Sequence, residues 1–168
     1  MAGLREVADE MTDLRRHIER NRLFALRTRG IGVLETEQLK VNGVSGPNLW
    51  GSEQGEGDVQ SRLLARLDAA ITDVRAASEA VGAGESAPAH AACWEVPAGE
   101  AYVSVRGPRG DIGLHLVSAG GEQPAHVEWK RPSAVLLPLL PEILTGEILA
   151  DAEVIVASLD LAMAEADG

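Results

Sequence analysis

The sequence predicts an α+β protein, a helical bundle carrying a small three-stranded antiparallel β-meander, and a change of period along the chain carries that prediction. Over residues 4–23 and 58–81 apolar side chains recur at steps of three and four. Over residues 101–130 the step drops to two and Gly-rich turns interrupt it. Length and composition bound the rest: 168 residues at 45% apolar suffice for one domain with one core, and aromatics at 3% leave Leu, Val, Ile and Ala to build it.

The first helix is expected over about 4–23, where Leu4, Val7, Met11, Leu14 and Ile18 make a heptad-like stripe. The stripe is too short for a self-sufficient coiled coil, so a bundle partner is expected. RTRGIGVLETEQL and VNGVSGPNLWGSEQGEG then read as a connector dominated by loops. Asp58 is placed to cap a second helix over about 58–81, with Val59, Leu63, Leu67, Ile71 and Val74 on one face and Arg62, Arg66 and Asp73 on the other. Small and polar residues in VGAGESAPAHAA make about 82–98 a flexible linker.

The meander spans about 101–130. Ala101, Val103 and Val105 alternate with Tyr102, Ser104 and Arg106, and Ile112, Leu114 and Leu116 alternate with Gly113, His115 and Val117. Val127 and Trp129 alternate in turn with His126, Glu128 and Lys130. One buried apolar face is expected, which leaves His115 and His126 as surface histidines rather than ligands. Ser133 is placed to cap a helix over about 133–145, distorted at Pro138 and Pro141 and stopped at Gly146. A last helix over about 148–160 follows from Ile148, Ala152, Ile155 and Leu159. The first, second and last helices are expected to form the bundle core.

Charge and cysteine content exclude several classes of function. A net charge of −11 without a basic cluster argues against nucleic acid and against direct contact with anionic lipid. The single cysteine, Cys93, rules out an internal disulfide and a cysteine-based structural zinc site. The chain opens on no apolar leader, and no window approaches the roughly 18 apolar residues of a spanning helix, so a cytoplasmic location is expected.

Chemistry-bearing motifs are sparse. GPRGDIG lies between two strands rather than between strand and helix, which removes it as a dinucleotide fingerprint, and no Gly-rich stretch ends in Gly-Lys-Ser/Thr. Cys93 with His90 sits in the linker without a carboxylate to orient it. Glu165 and Asp167 have no defined mutual geometry. On the residues alone the chain reads as a binding or scaffold domain.

Taken in order, however, RTRGIGV, VSGPNL, GDVQSRLLARLDAAI, AYVSVRGPRGDIGLHLVSAGG, RPS, LPEILTGEILAD and SLDLAMAEAD resemble the C-terminal half of the D-type subunit family of NADH-quinone oxidoreductase, the 49 kDa-type subunit of complex I. The resemblance covers roughly residues 20–167 and extends to the large subunits of nickel–iron hydrogenases, whose fold the family shares. It implies the C-terminal part of that hydrogenase-like fold and a component of a respiratory quinone reductase. In the family the closing segment helps wall a quinone cavity, which makes Asp160, Ala162, Met163, Glu165 and Asp167 the candidate site residues. Ala162 and Met163 would be wall, and Asp167 a polar group tied to proton supply.

The resemblance also implies what this chain lacks. The hydrogenase branch places metal-binding cysteines where Ala162 and Glu165 stand, and a nickel–iron centre needs thiolates, so hydrogenase activity is not expected. No metal or cofactor is expected on this chain. Quinone is the substrate, iron–sulfur clusters belong to a partner subunit, and NAD binding and NADH oxidation occur elsewhere in the complex. The expected partners are that iron–sulfur subunit and an N-terminal half carried by another chain, with membrane contact only through the complex, at its cytoplasmic face. The chain is not expected to act alone.

The departures from the family pattern are the absent N-terminal sheet and quinone-facing helices, a shortened connector after VSGPNLWGS, Ala164, Ala166 and Gly168 in place of glycine, valine and arginine, and Arg106 in place of an acid. They keep a second reading open: a truncated, non-catalytic scaffold or assembly protein of the same fold.

Overall fold

The computed structural model describes residues 2–35, 57–83, 96–107 and 109–166. Helix α1 (Ala2–Arg20) lies along α3 (Val59–Ala83). Arg15 ties the two, donating through Nε to Asp68 at 2.5 Å and through Nη1 to Glu19 at 3.0 Å. The hydrogen bond to Asp68 holds the guanidinium pKa above its ordinary value. The stripe on α1 stays largely open: Ala8 is buried, whereas Leu4, Val7 and Leu14 are exposed. The expectation that this helix enters the bundle core is therefore corrected. It covers α3 from outside, because its partner face ends in charges and small residues rather than in the core.

Asn21 divides the expected 4–23 helix. It takes an extended conformation, its side-chain oxygen accepts the Phe24 N–H at 3.1 Å, and a short helix α2 (Arg22–Leu26) begins. The chain then wraps the start of α3. Val59 N–H donates to Ile31 O at 3.1 Å and Gln60 N–H to Thr28 O at 3.3 Å. Asp58 Oδ1 accepts the Ser61 N–H at 2.7 Å and its Oδ2 accepts the Gly30 N–H at 2.9 Å. The donors a helix start leaves unpaired are thus met by a clasp from residues 28–34 and by the capping aspartate.

Strands β1 (Gly99–Gly107), β2 (Gly110–Ser118) and β3 (His126–Lys130) form an antiparallel sheet in the order β1-β2-β3. The register pairs Tyr102 with His115 and Val103 with Leu114, and then Leu114 with Trp129 and His115 with Glu128. The alternation sorts the faces as the sequence predicts, but the apolar face is not buried. Val103, Val105, Val127 and Trp129 are all exposed, and β1 is open along nearly its whole length. Helix α4 (Pro132–Leu136) packs on the central strand, and it is too short to cover the sheet.

Pro138 and Pro141 break the expected 133–145 helix into α4, a 3₁₀ turn (Leu137–Leu139) and α5 (Leu140–Leu144), each proline taking a first-turn position where its missing N–H costs nothing. The last predicted helix is likewise shorter. Ile148 and Leu149 are exposed, a 3₁₀ turn (Leu149–Asp151) follows, and α6 is Ala152–Leu159. A final turn, α7 (Met163–Ala166), ends the described chain.

The core gathers Leu34, Val59, Leu136, Leu139, Ile143, Ile155 and Leu159. It sits where the 28–34 clasp, the start of α3, the proline-broken segment and α6 meet. Among the described residues no helix is long and apolar enough to cross a membrane. The central connector, the His90–Cys93 pair and Asp167 lie outside the described residues.

Candidate functional site

The closing segment turns on Asp160. Helix α6 ends there, and Asp160 takes a left-handed conformation (φ 51°, ψ 47°), which no other non-glycine residue does among those described. Aspartate tolerates this region better than most residues because its short polar side chain finds local partners. Here the partner is Arg109 at the tip of the β1–β2 hairpin. Its Nε donates to the Asp160 carbonyl at 2.9 Å and lies 3.3 Å from the Asp160 carboxylate.

Two residues on, the Ala162 N–H donates to the hydroxyl oxygen of Ser133 at 3.0 Å. The same hydroxyl donates to Glu165 Oε2 at 2.5 Å, and the Ser133 N–H donates to that oxygen at 3.2 Å. Glu165 Oε1 faces Arg109 Nη1 at 3.5 Å. Glu165 is therefore fixed by both oxygens, one on the first turn of α4 and one on the hairpin. Ser133 is not the helix cap: Arg131 occupies that position ahead of Pro132, and Ser133 instead buries its side chain as the hub of the closing segment.

Beneath this segment α3 contributes two arginines. Arg62 is fully buried, its Nε and Nη2 donating to Ser158 Oγ at 3.1 and 2.7 Å and its Nη1 to the carbonyls of Gly32 at 2.8 Å and Gly57 at 2.5 Å. These partners are all neutral oxygens. Burial pushes its pKa down to about 10, helped by Arg66 and opposed by Asp58, so it stays protonated at neutral pH. Arg66 is also lowered by burial, with Asp160 opposing and Arg109 adding to the effect. The buried Arg66 Nε and Nη2 meet no acceptor among the described residues.

The arrangement buries Arg62 and half-buries Arg66 on the helix face that the sequence sets opposite the apolar one. It also shows that Arg27 and Arg29 are engaged within the chain, with Asp151 at 2.9 Å and Gln60 at 2.8 Å. Of the candidate residues, Asp160, Ala162 and Glu165 come together around Arg109 and Ser133. Met163 stands apart from them and is 70% exposed. Sequence reasoning does not reach Ser133, Ser158, Arg62, Arg66 and Arg109 as site residues. The available signal is the spacing of four between Arg62 and Arg66, which puts both on one side of a helix that otherwise packs small and apolar groups.

Beside the closing segment lies a cleft of about 300 Å³ lined by Val127, Glu128, Trp129, Arg131, Ala134, Glu165 and Ala166. Its wall is apolar from the sheet, α4 and α7, and its rim carries carboxylates and one guanidinium. Such a site suits a largely apolar ring bearing polar substituents.

Residues 85–168 match the family described as respiratory-chain NADH dehydrogenase, 49 Kd subunit. Among curated relatives, the D-type subunit numbered 2 of the NADH-quinone oxidoreductase of Solibacter usitatus (strain Ellin6076) is 28% identical over 95% of this chain and 49% of its own length. The D-type subunit of the enzyme from Bacillus mycoides (strain KBAB4) is 28% identical over 98% and 52%. A chain in the structure of the membrane-bound sulfane sulfur reductase (MBS), an archaeal respiratory membrane complex, superposes with a TM-score of 0.82 at 26% identity, over 98% of this chain and 53% of that one. The chain thus spans about half the length of the relatives it matches. The matched residues 85–168 contain the sheet, the proline-broken segment and the whole closing segment around Ser133 and Glu165, and by that match the chain belongs to the respiratory-chain NADH dehydrogenase 49 Kd subunit family.

Proposed function

We propose that the chain forms part of a quinone-binding cavity in a respiratory NADH-quinone oxidoreductase, on the path of electrons from iron–sulfur clusters in a partner subunit to quinone. The observation that carries this reading is the cleft walled by Val127, Trp129, Ala134 and Ala166, with Glu165 at its rim. An apolar wall accepts a ring and the start of an isoprenoid tail, and a fixed carboxyl group beside it exchanges protons with the reduced head. Ser133 and Arg109 hold that carboxyl in place. Asp160 and Ala162 act by shaping the segment rather than by touching the ligand. Asp167 is proposed as a polar group tied to proton supply. Electrons arrive from iron–sulfur clusters held by a partner subunit, and NADH is oxidised elsewhere in the assembly.

The test is a pull-down of the tagged chain from its native membranes, followed by photolabelling with an azido-quinone. Recovery of an iron–sulfur subunit and label within residues 127–134 or 160–166 is the expected result, with label reduced several-fold in Ser133→Ala. A chain that comes down alone and takes no label would leave the scaffold reading in its place.

A further inference from the structure

The sheet register builds a second cluster on the polar side of the meander. His115 on β2 stands directly opposite Glu128 on β3, and His126, two residues earlier on β3, lies diagonally across from His115. The two imidazoles meet edge to face with centroids 6.2 Å apart. His115 Nδ1 is 3.9 Å from Glu128 Oε2, and His126 Nε2 is 3.9 Å from the same oxygen. One ligating atom from each residue lies within 4.8 Å of the others.

The tautomer of His115 follows from its other nitrogen. Nε2 is 2.7 Å from Glu100 Oε1 on β1, and an ionised carboxylate accepts only, so Nε2 carries the proton. In that tautomer Nδ1 turns its lone pair toward the Glu128 carboxylate. Two Lewis bases face each other across a gap too long for a hydrogen bond, with a third, His126, on the same oxygen. A histidine oriented by a carboxylate on one nitrogen and open on the other is the arrangement that metal-binding histidines show.

From this geometry we infer that His115, His126 and Glu128 form a divalent-cation site that takes Zn²⁺, with Glu100 as the residue positioning His115. Two imidazoles and a carboxylate are donors of the right softness for zinc. Tetrahedral donors about 2.0–2.1 Å from zinc stand about 3.4 Å apart. Here each histidine nitrogen is 3.9 Å from the Glu128 oxygen and all three atoms lie within 4.8 Å of one another, a span that rotation of the exposed His126 and Glu128 side chains closes. Three protein donors leave a fourth position for water. The bound ion would clamp β2 to β3. Glu128 also borders the quinone cleft, but the two histidines lie outside its lining, and the donor geometry stands whether or not the cleft takes quinone.

The full chain is titrated with ZnCl₂ by calorimetry at about pH 7.5, and with Co²⁺ for its visible spectrum. We expect one Zn²⁺ per chain. His126→Ala and Glu128→Gln each weaken binding at least tenfold, and Cys93→Ser leaves it unchanged. Both altered side chains lie on the surface, and circular dichroism confirms the fold of each variant. Absence of binding overturns the proposal. So does binding that survives both variants, or that disappears with Cys93→Ser together with a thiolate-to-cobalt band.

Discussion

At the start of α3 the molecule buries a full charge, while on the sheet it leaves valine and tryptophan in water. Arg62 is 0% exposed, and Val105, well inside a strand, is 60% exposed. Hydrophobicity alone would have put them the other way round. Arg62 is inside because three elements converge on it with oxygens: Gly32 from the clasp, Gly57 ahead of the helix and Ser158 from α6. Val105 is outside because, among the described residues, no apolar element packs over β1. What separates the two regions is the density of neighbouring chain. The clasp is closed on itself, and the sheet offers a face of the kind that subunits of multi-chain assemblies cover.

Removing Arg62 is the sharpest way to break that contrast. Arg62→Ala strands two carbonyls and a hydroxyl in the interior and should cost about 3–5 kcal/mol, read as a lower midpoint in urea unfolding. A loss below about 1 kcal/mol would mean that water already reaches these groups. Next in size is Gly57→Ala. Gly57 has φ +67°, and an added Cβ would run into the Leu34 carbonyl oxygen, whose own N–H bonds to Gly57 O at 3.0 Å. About 2 kcal/mol should be lost in the same assay, with α1 helicity retained. The smallest effect belongs to the sheet: Val103→Thr with Val105→Thr should change stability by no more than about 0.5 kcal/mol. The same pair should lower self-association in sedimentation velocity, because it makes the open face polar. A large destabilisation there would show that the face is packed after all.

The parts of the fold legible in sequence are those set by local pattern. The meander, its alternation and its turns follow from Ala101 to Lys130, and the breaks at Pro138 and Pro141 follow from ring geometry. The fate of each face is not legible, because burial depends on what lies opposite. The α1 stripe and the valines of β1 look alike on paper and like core, yet Leu4, Val7 and Leu14 are exposed, as are Val103 and Val105. In the site, Asp160, Ala162 and Glu165 come from family resemblance. Ser133 reads as a cap because serine near a helix start usually is one. The neighbouring Pro132 moves the cap to Arg131 and frees the Ser133 side chain for Glu165. His115 and His126 read as separate surface groups, since eleven residues of sequence conceal a cross-strand diagonal that only the register reveals.

The bonds that close the core also set an order of events during synthesis. Arg62 meets Ser158 across 96 residues, Gly32 meets Glu147 across 115, and Arg27 meets Asp151 across 124. On a ribosome adding roughly 5–20 residues per second, the clasp and the start of α3 emerge roughly 5–20 s before α6 does. For that interval α1 and α3 have each other, but Arg62 has no Ser158 and Val59 no Leu159. The nascent chain must therefore wait with its most polar interior position open to water and its apolar neighbours uncovered. Fast elongation through residues 62–158 shortens that wait, and a stall anywhere in the meander prolongs it.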